Sequence, residues 1–267
     1  MANMRIIYDN AADRATLQST TQLVPTTPLT FLQNDVKSKV CRTTFLASGM
    51  LNITATWATP EAIDAVVLAF TNADATSTLR VVAYATAADT VPIYDKTVSA
   101  VKASFSGHAG IPAPVYASHW FDSTVSVGKL QITLASVAGT QVQAGRLIVG
   151  KRWTPVFGAD QQGTTMSIVD MSEQFRTDSG DMYVNVKPQY RKQTLAMPSL
   201  DKIDRAKMWQ VLYRNGLAKP LYISLYPENA DGELEQMHQI YGRLVTTPVM
   251  STPYFQHMAA TIEIEEV

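Results

Sequence analysis

Apolar and polar positions alternate in short runs along most of the chain, and that alternation predicts strands. Leu51, Ile53, Ala55 and Trp57 alternate with Asn52, Thr54 and Thr56, as a strand with one buried face requires. Further runs predict strands at Arg5 to Tyr8, Val40 to Leu46, Ile63 to Phe70, Leu79 to Ala85, His119 to Asp122, Lys129 to Ala135 and Val142 to Val149. Polar turns such as Asn72-Ala73-Asp74-Ala75 separate them, a spacing that favours an antiparallel sandwich over a parallel sheet. Residues 11 to 39 are polar and Thr-rich and read as loop, and prolines and glycines from Asp89 to Tyr116 predict a long surface excursion.

A second set of elements follows Gly150. Strands are expected at Met166 to Met171, Met182 to Tyr190, Leu221 to Tyr226, Met237 to Thr246 and Met258 to Glu265, with the polar stretch Glu228 to Glu233 as loop. The one long helical signal lies at about 199–215. Ile203, Ala206, Trp209 and Leu212 recur every three residues and form its predicted buried face, and Asp201 or Ser199 is placed to cap its start. Gly216 supplies the left-handed residue that ends it. The pattern therefore predicts a mainly β protein in two domains, 1–150 and 151–267, the second with one flanking helix.

Composition narrows the function classes. Hydrophobic residues make up 46% and charged residues 17%, a globular balance low enough in charge to suggest that partners cover part of the surface. A net charge of −1 gives no electrostatic footprint for nucleic acid. No apolar run is long enough to span a membrane, and the N-terminus lacks the apolar core of a signal peptide. The single cysteine, Cys41, reads as a small packed side chain, so folding in a reducing cytoplasm suffices.

Catalytic signatures are missing from the sequence. No nucleophile elbow, phosphate-cradling Gly-rich loop or dinucleotide fingerprint occurs, and no carboxylate pair stands out for a polysaccharide-cleaving enzyme. The four histidines are scattered. Glu233, Glu235 and His238 come nearest to a metal cluster and read as solvated surface. The expectation is no catalytic residue, no cofactor and no metal site. Two sets of residues are candidates for binding instead. His108, Tyr116, His119 and Trp120 flank the irregular loop, where exposed rings would stack on a sugar or touch a partner, the alternative being that the larger rings are core. Tyr222 and Tyr226, on one face of a strand, pack either within the chain or at an assembly interface.

The runs Leu51 to Trp57, Thr59-Pro60, Ile63 to Leu68 and Leu79 to Tyr84, closed by Ala144 to Val149, resemble the strands of discoidin-like, galactose-binding-like jelly rolls. That resemblance covers about residues 1–150 and implies ligand binding, often of glycans, through loops at one end of the sandwich. The whole chain is similar to virion proteins near the tail tip of long-tailed bacteriophages. The residues that carry this second resemblance are Arg146 to Pro155, the helix ending at Asn215-Gly216, Lys219 to Pro227 and Ile262 to Glu266. Its second half is similar to the tail-tube and distal-tail type of β-sandwich with one helix, with the two modules in the reverse of the usual order. The resemblance implies a structural role in the tail tip or baseplate. The chain would form a ring, with hexameric symmetry, that contacts tail tube, hub and fibre proteins, in a virion made in the bacterial cytoplasm. The alternative is a receptor-binding virion protein that recognises host glycans through the first domain.

Overall fold

The computed structural model describes residues 4–45, 49–101, 115–136, 140–159, 163–229, 231–254 and 257–267. Strands take 52% of the chain and helices 12%, and the antiparallel sheets are curled, so the fold is mainly β and of the sandwich or jelly-roll kind. In chain order the first strands are β1 (Arg5–Ile7), β2 (Thr16–Gln18), β3 (Cys41–Arg42), β4 (Met50–Thr71), β5 (Thr78–Tyr84), β6 (Tyr94–Ser99), β7 (Val115–Ala135), β8 (Gln143–Ala144) and β9 (Arg146–Gly150). They are followed by β10 (Thr165–Asp170), β11 (Glu173–Arg176), β12 (Met182–Asn185) and β13 (Gln189–Leu200). After helix α1 (Lys202–Arg214) come β14 (Leu221–Ser224), helix α2 (Gly232–Met237), β15 (Gln239–Leu244), β16 (Met250–Tyr254) and β17 (His257–Glu266). The chain forms two compact units, Met1–Thr154 with Leu221–Gln239, and Pro155–Pro220 with Ile240–Val267.

The first unit is built on two long strands, β4 and β7. The sequence breaks at Thr59-Pro60 and again before Lys129, and predicts separate short strands on either side. The chain instead continues as one antiparallel pair whose register shifts between Thr56 and Glu61 and again near Ala65. Bulges of this kind absorb extra residues and bend a strand without ending it, and Pro60 sits exposed where the bend occurs. Gly128 lies at the same bend, where a Cβ would come within 2.8 Å of the Ala85 carbonyl oxygen.

The bend gives each long strand two sets of neighbours. The first half of β4 pairs with β2 and with the end of β7, which in turn pairs with β5, while β6 borders β5. The second half pairs with the start of β7 and with β9. Burial follows this division. Leu51, Ile53, Ala55 and Trp57 are buried in alternation, whereas every residue from Ile63 to Thr71 is buried because both faces are covered. The Trp57 indole donates to the Ala11 carbonyl at 2.8 Å and so ties the short 3-10 turn Ala11–Arg14 to the sheet. The region read as loop from 11 to 39 also contains β2 and a second 3-10 turn at Leu29–Gln33.

The second unit holds the antiparallel strands β15, β17, β13 and β10, with β16 beside β17. Ala260, Ile262 and Ile264 are buried in alternation along β17. Strand β13 runs on past Pro198, with a register shift between Met197 and Leu200 that accommodates the proline. Helix α1 follows at once. Its cap is Asp201, whose side chain accepts from the Asp204 backbone N–H at 2.7 Å, and it ends at Gly216, φ +51°.

The face that α1 buries is not the one its spacing predicts. Asp204, Met208, Val211 and Asn215 are buried, while Ile203 and Trp209 are 68% and 46% exposed and Leu212 is half-buried. The helix tolerates Asp204 inside because its carboxylate accepts from the Val156 backbone N–H at 2.8 Å, which satisfies a charge that would otherwise be costly to bury. Sequence spacing alone selects the more apolar stripe; the folded helix turns that stripe outward.

Candidate functional site

His108 falls within 102–114 and lies outside the described residues. The three other residues of that candidate set belong to β7, not to a loop. Successive residues of a strand point to opposite faces, so Ala117 and Phe121 enter the main core while Tyr116 and Trp120 face the other way. There they meet Tyr222 of β14, with ring centroids 5.7 and 6.2 Å from it. Tyr116 is fully buried, and the Gln236 side chain bonds both to its backbone N–H (3.1 Å) and to its carbonyl (2.7 Å), fixing α2 to β7. Trp120 is 5% exposed, with the Arg5 guanidinium 4.8 Å above its ring and Arg5 donating to Glu228 at 2.6 Å. Both faces of β7 are covered here. The expected exposed platform of Tyr116 and Trp120 is therefore absent, and these rings are core.

His119 is nearly buried. Its Nε2 and the Tyr94 hydroxyl lie 2.6 Å apart in a hydrogen bond, and the Tyr94 ring stacks on Phe121 at 4.1 Å. Tyr94 itself is half-buried, and burial pushes its phenol above the usual range. Next to it Lys96 donates to Asp122 at 2.6 Å, which holds the Asp122 carboxyl below its ordinary value and raises the Lys96 ammonium. Tyr94, Lys96, His119 and Asp122 thus form one small polar and aromatic cluster on β6 and β7, open to water at Lys96 and Asp122 and closed at His119.

Tyr222 is also sealed inside the first unit. Its hydroxyl donates to the Gln239 side chain at 2.9 Å, and burial drives its phenol far above the usual value. A side chain with no exposed surface cannot face a partner, so of the two readings open for Tyr222 the intramolecular one holds. Tyr226 is half-buried and stands edge-on to His238 at 5.0 Å. In α2, which the sequence reads as polar loop, Glu233 is exposed but Glu235 is buried, so the solvated reading fails for Glu235. Among the described residues no group of three or more His, Cys, Asp or Glu side chains is placed to hold a metal ion, and no helix is long and apolar enough to cross a membrane.

The second unit carries the surfaces that stand open. Strands β10 and β13 pair from Thr165↔Thr194 to Asp170↔Gln189, and the ladder resumes as β11 and β12, from Glu173↔Asn185 to Arg176↔Met182. The polar turn closes this hairpin at Gly180, φ +89°. Every residue of β11 and β12 is exposed, including Phe175, Met182, Tyr183 and Val184. Phe175 and Tyr183 are cross-strand partners whose rings stack 5.7 Å apart. The sequence signal for such an arm is the loss of alternation: Met182, Tyr183 and Val184 are apolar on both faces of one short strand, which leaves no polar side to face water. The same unit also carries the outward stripe of α1, Ile203, Trp209 and Tyr213.

No protein-family model matches the chain, and no curated protein sequence does. Among solved structures, a fucose binding module of Streptococcus pneumoniae is similar with TM-score 0.40 and 13% identity, over 54% of this chain and 98% of that one. The CBM32-1 module of a family 31 glycoside hydrolase from Clostridium perfringens is similar with TM-score 0.40 and 11% identity, over 54% of this chain and 99% of that one. The lectin domain of lectinolysin, solved with Lewis B antigen, is similar with TM-score 0.40 and 14% identity, over 54% and 96%.

Proposed function

We propose that the chain is a structural protein that assembles with copies of itself through the second unit into a closed ring, of the kind found at the tail tip of long-tailed bacteriophages. The observation that carries this reading is the β11–β12 arm. A two-stranded ribbon exposed on both faces is at best marginally stable in water, and one bearing Phe175, Met182, Tyr183 and Val184 leaves apolar surface uncovered. Packing against another molecule removes both costs. A contact between unlike surfaces repeats from copy to copy, and it closes into a ring when the rotation per copy divides a full turn. The first unit then serves as the outward module that holds other tail proteins. Negative-stain microscopy of the purified protein at high concentration tests this: closed rings of uniform diameter are expected, and isolated particles or open fibres would refute ring closure.

A second reading is glycan recognition by the first unit. The similar structures include a fucose binding module and a lectin domain solved with Lewis B antigen. In this chain the feature that favours it is the cluster of Tyr94, Lys96, His119 and Asp122, which combines a partly exposed ring with polar groups. A glycan array compares wild type with Tyr94→Ala. Signal that the substitution abolishes supports this reading, and an array blank for both proteins removes it.

A further inference from the structure

We propose that the β11–β12 arm of one copy docks on the α1 stripe of the next, and that this arm-to-helix contact is the one that repeats around the ring. The inference rests on the ring reading and names the two surfaces that it joins.

Among the described residues of the second unit, the arm and the outer side of α1 both leave apolar side chains uncovered. On the arm, Phe175 and Tyr183 stack across the strands, each 57% exposed. On α1, Ile203, Ala206, Trp209 and Tyr213 recur at three- to four-residue spacing along the outer side, all exposed. Ile203 to Tyr213 extends about 15 Å at 1.5 Å per residue, and each strand of the arm extends about 10 Å at 3.3 Å per residue, so the arm is short enough to lie within the stripe.

Their charges are opposite. The arm carries Asp170, Glu173, Asp178 and Asp181 against Arg176 and Lys187, and Lys187 is already engaged by Glu173. The helix and the turn after it carry Lys202, Arg205, Lys207, Arg214 and Lys219 against Asp201 and Asp204, of which Asp204 is buried. An acidic arm repels an acidic arm and a basic helix repels a basic helix, so pairing of like surfaces is disfavoured and pairing of unlike ones favoured. Unlike pairing is the condition for a head-to-tail assembly.

Complementation tests the contact. One variant disables the helix surface (Trp209→Ser with Tyr213→Ser) and a second disables the arm (Phe175→Ser with Tyr183→Ser). All four positions are exposed, and circular dichroism with the thermal midpoint verifies folding; the single changes Tyr213→Ser and Tyr183→Ser repeat the test should a double variant melt early. Light scattering should show the wild type as a large species and each variant alone as a monomer of 29.3 kDa. An equimolar mixture should stop at twice that mass, because one intact arm meets one intact helix and no further contact is left. If the wild type assembles and either variant still does so alone, the arm-to-helix contact is overturned while the ring reading stands. A mixture that remains monomeric overturns it likewise. A wild type that is monomeric at every concentration overturns both.

Discussion

Trp209 and Tyr213 stack one turn apart on α1, ring centroids 5.7 Å apart, with Trp209 46% and Tyr213 85% exposed. Two aromatic rings left in water on a helix whose inner side holds an aspartate make α1 a surface element as much as a core one. The first prediction separates these roles. Trp209→Ala should change the free energy of unfolding by less than about 1 kcal/mol, as exposed substitutions do. Met208→Ala, at a fully buried position, should cost about 2–5 kcal/mol. Denaturant titration of both variants at low concentration checks the contrast, and equal losses would mean that the helix is turned the other way.

Arg146 anchors the N-terminal segment of the first unit. Its buried guanidinium lies 2.7 Å from Asp13 and 3.1 Å from Asp35, and it donates to the Leu32 carbonyl. Arg146→Ala should cost about 2–4 kcal/mol, below the full penalty of a broken buried pair because Asp13 and Asp35 keep access to water. Arg146→Met, which preserves volume, should recover part of that loss. Chemical unfolding of the two variants provides the check.

Asp74 organises the turn between β4 and β5. Its Oδ1 accepts from the backbone N–H groups and hydroxyls of Thr76 and Ser77, and these bonds hold its carboxyl below the ordinary range. A depressed folded value means that the ionised form is favoured on folding. The stabilisation is complete above the unfolded pKa of about 3.9 and is lost as pH falls through the folded value. Asp74→Ala should therefore cost on the order of 1 kcal/mol at neutral pH, with the difference from wild type shrinking below about pH 4. Thermal midpoints of the two proteins across that range measure it, and a gap constant with pH would contradict the assignment.

Cys41 is fully buried, and burial pushes its thiol up to about 11. In the native protein it should resist Ellman's reagent at neutral pH, and it should react within minutes once denaturant unfolds the first unit. Rapid labelling without denaturant would show that β3 opens locally.

The sequence made strand content legible wherever one face is buried, as in Leu51 to Trp57 and Ala260 to Ile264. It divided β4 and β7 because a proline and a polar run look like strand ends, whereas bulges carry the ladder through both. Helix α2 is six residues long and sits in a polar stretch, too short to show a period. The misassigned face of α1 has a different cause. Hydrophobic spacing identifies the apolar stripe of a helix but not what covers it, and here Asp204 occupies the inner side with its own hydrogen bond. Of the candidate site residues, Tyr116, Trp120 and Tyr222 were legible as aromatic but not as one another's neighbours, because β14 joins β7 in space from a hundred residues further along the chain. Of the arm, only the strand from Met182 was legible; Glu173 to Arg176 is too short and polar to show a period, and the apolar run Met182 to Val184 is the one trace that both faces are bare.

Assembly is the claim on which the proposed function depends, and the solution mass of the unmodified protein tests it most directly. Multi-angle light scattering over a hundredfold range of concentration should reach a plateau at one integral multiple of 29.3 kDa and stay there, as a ring that has closed cannot grow. A mass that remains at one chain throughout, or that climbs without limit, would contradict it.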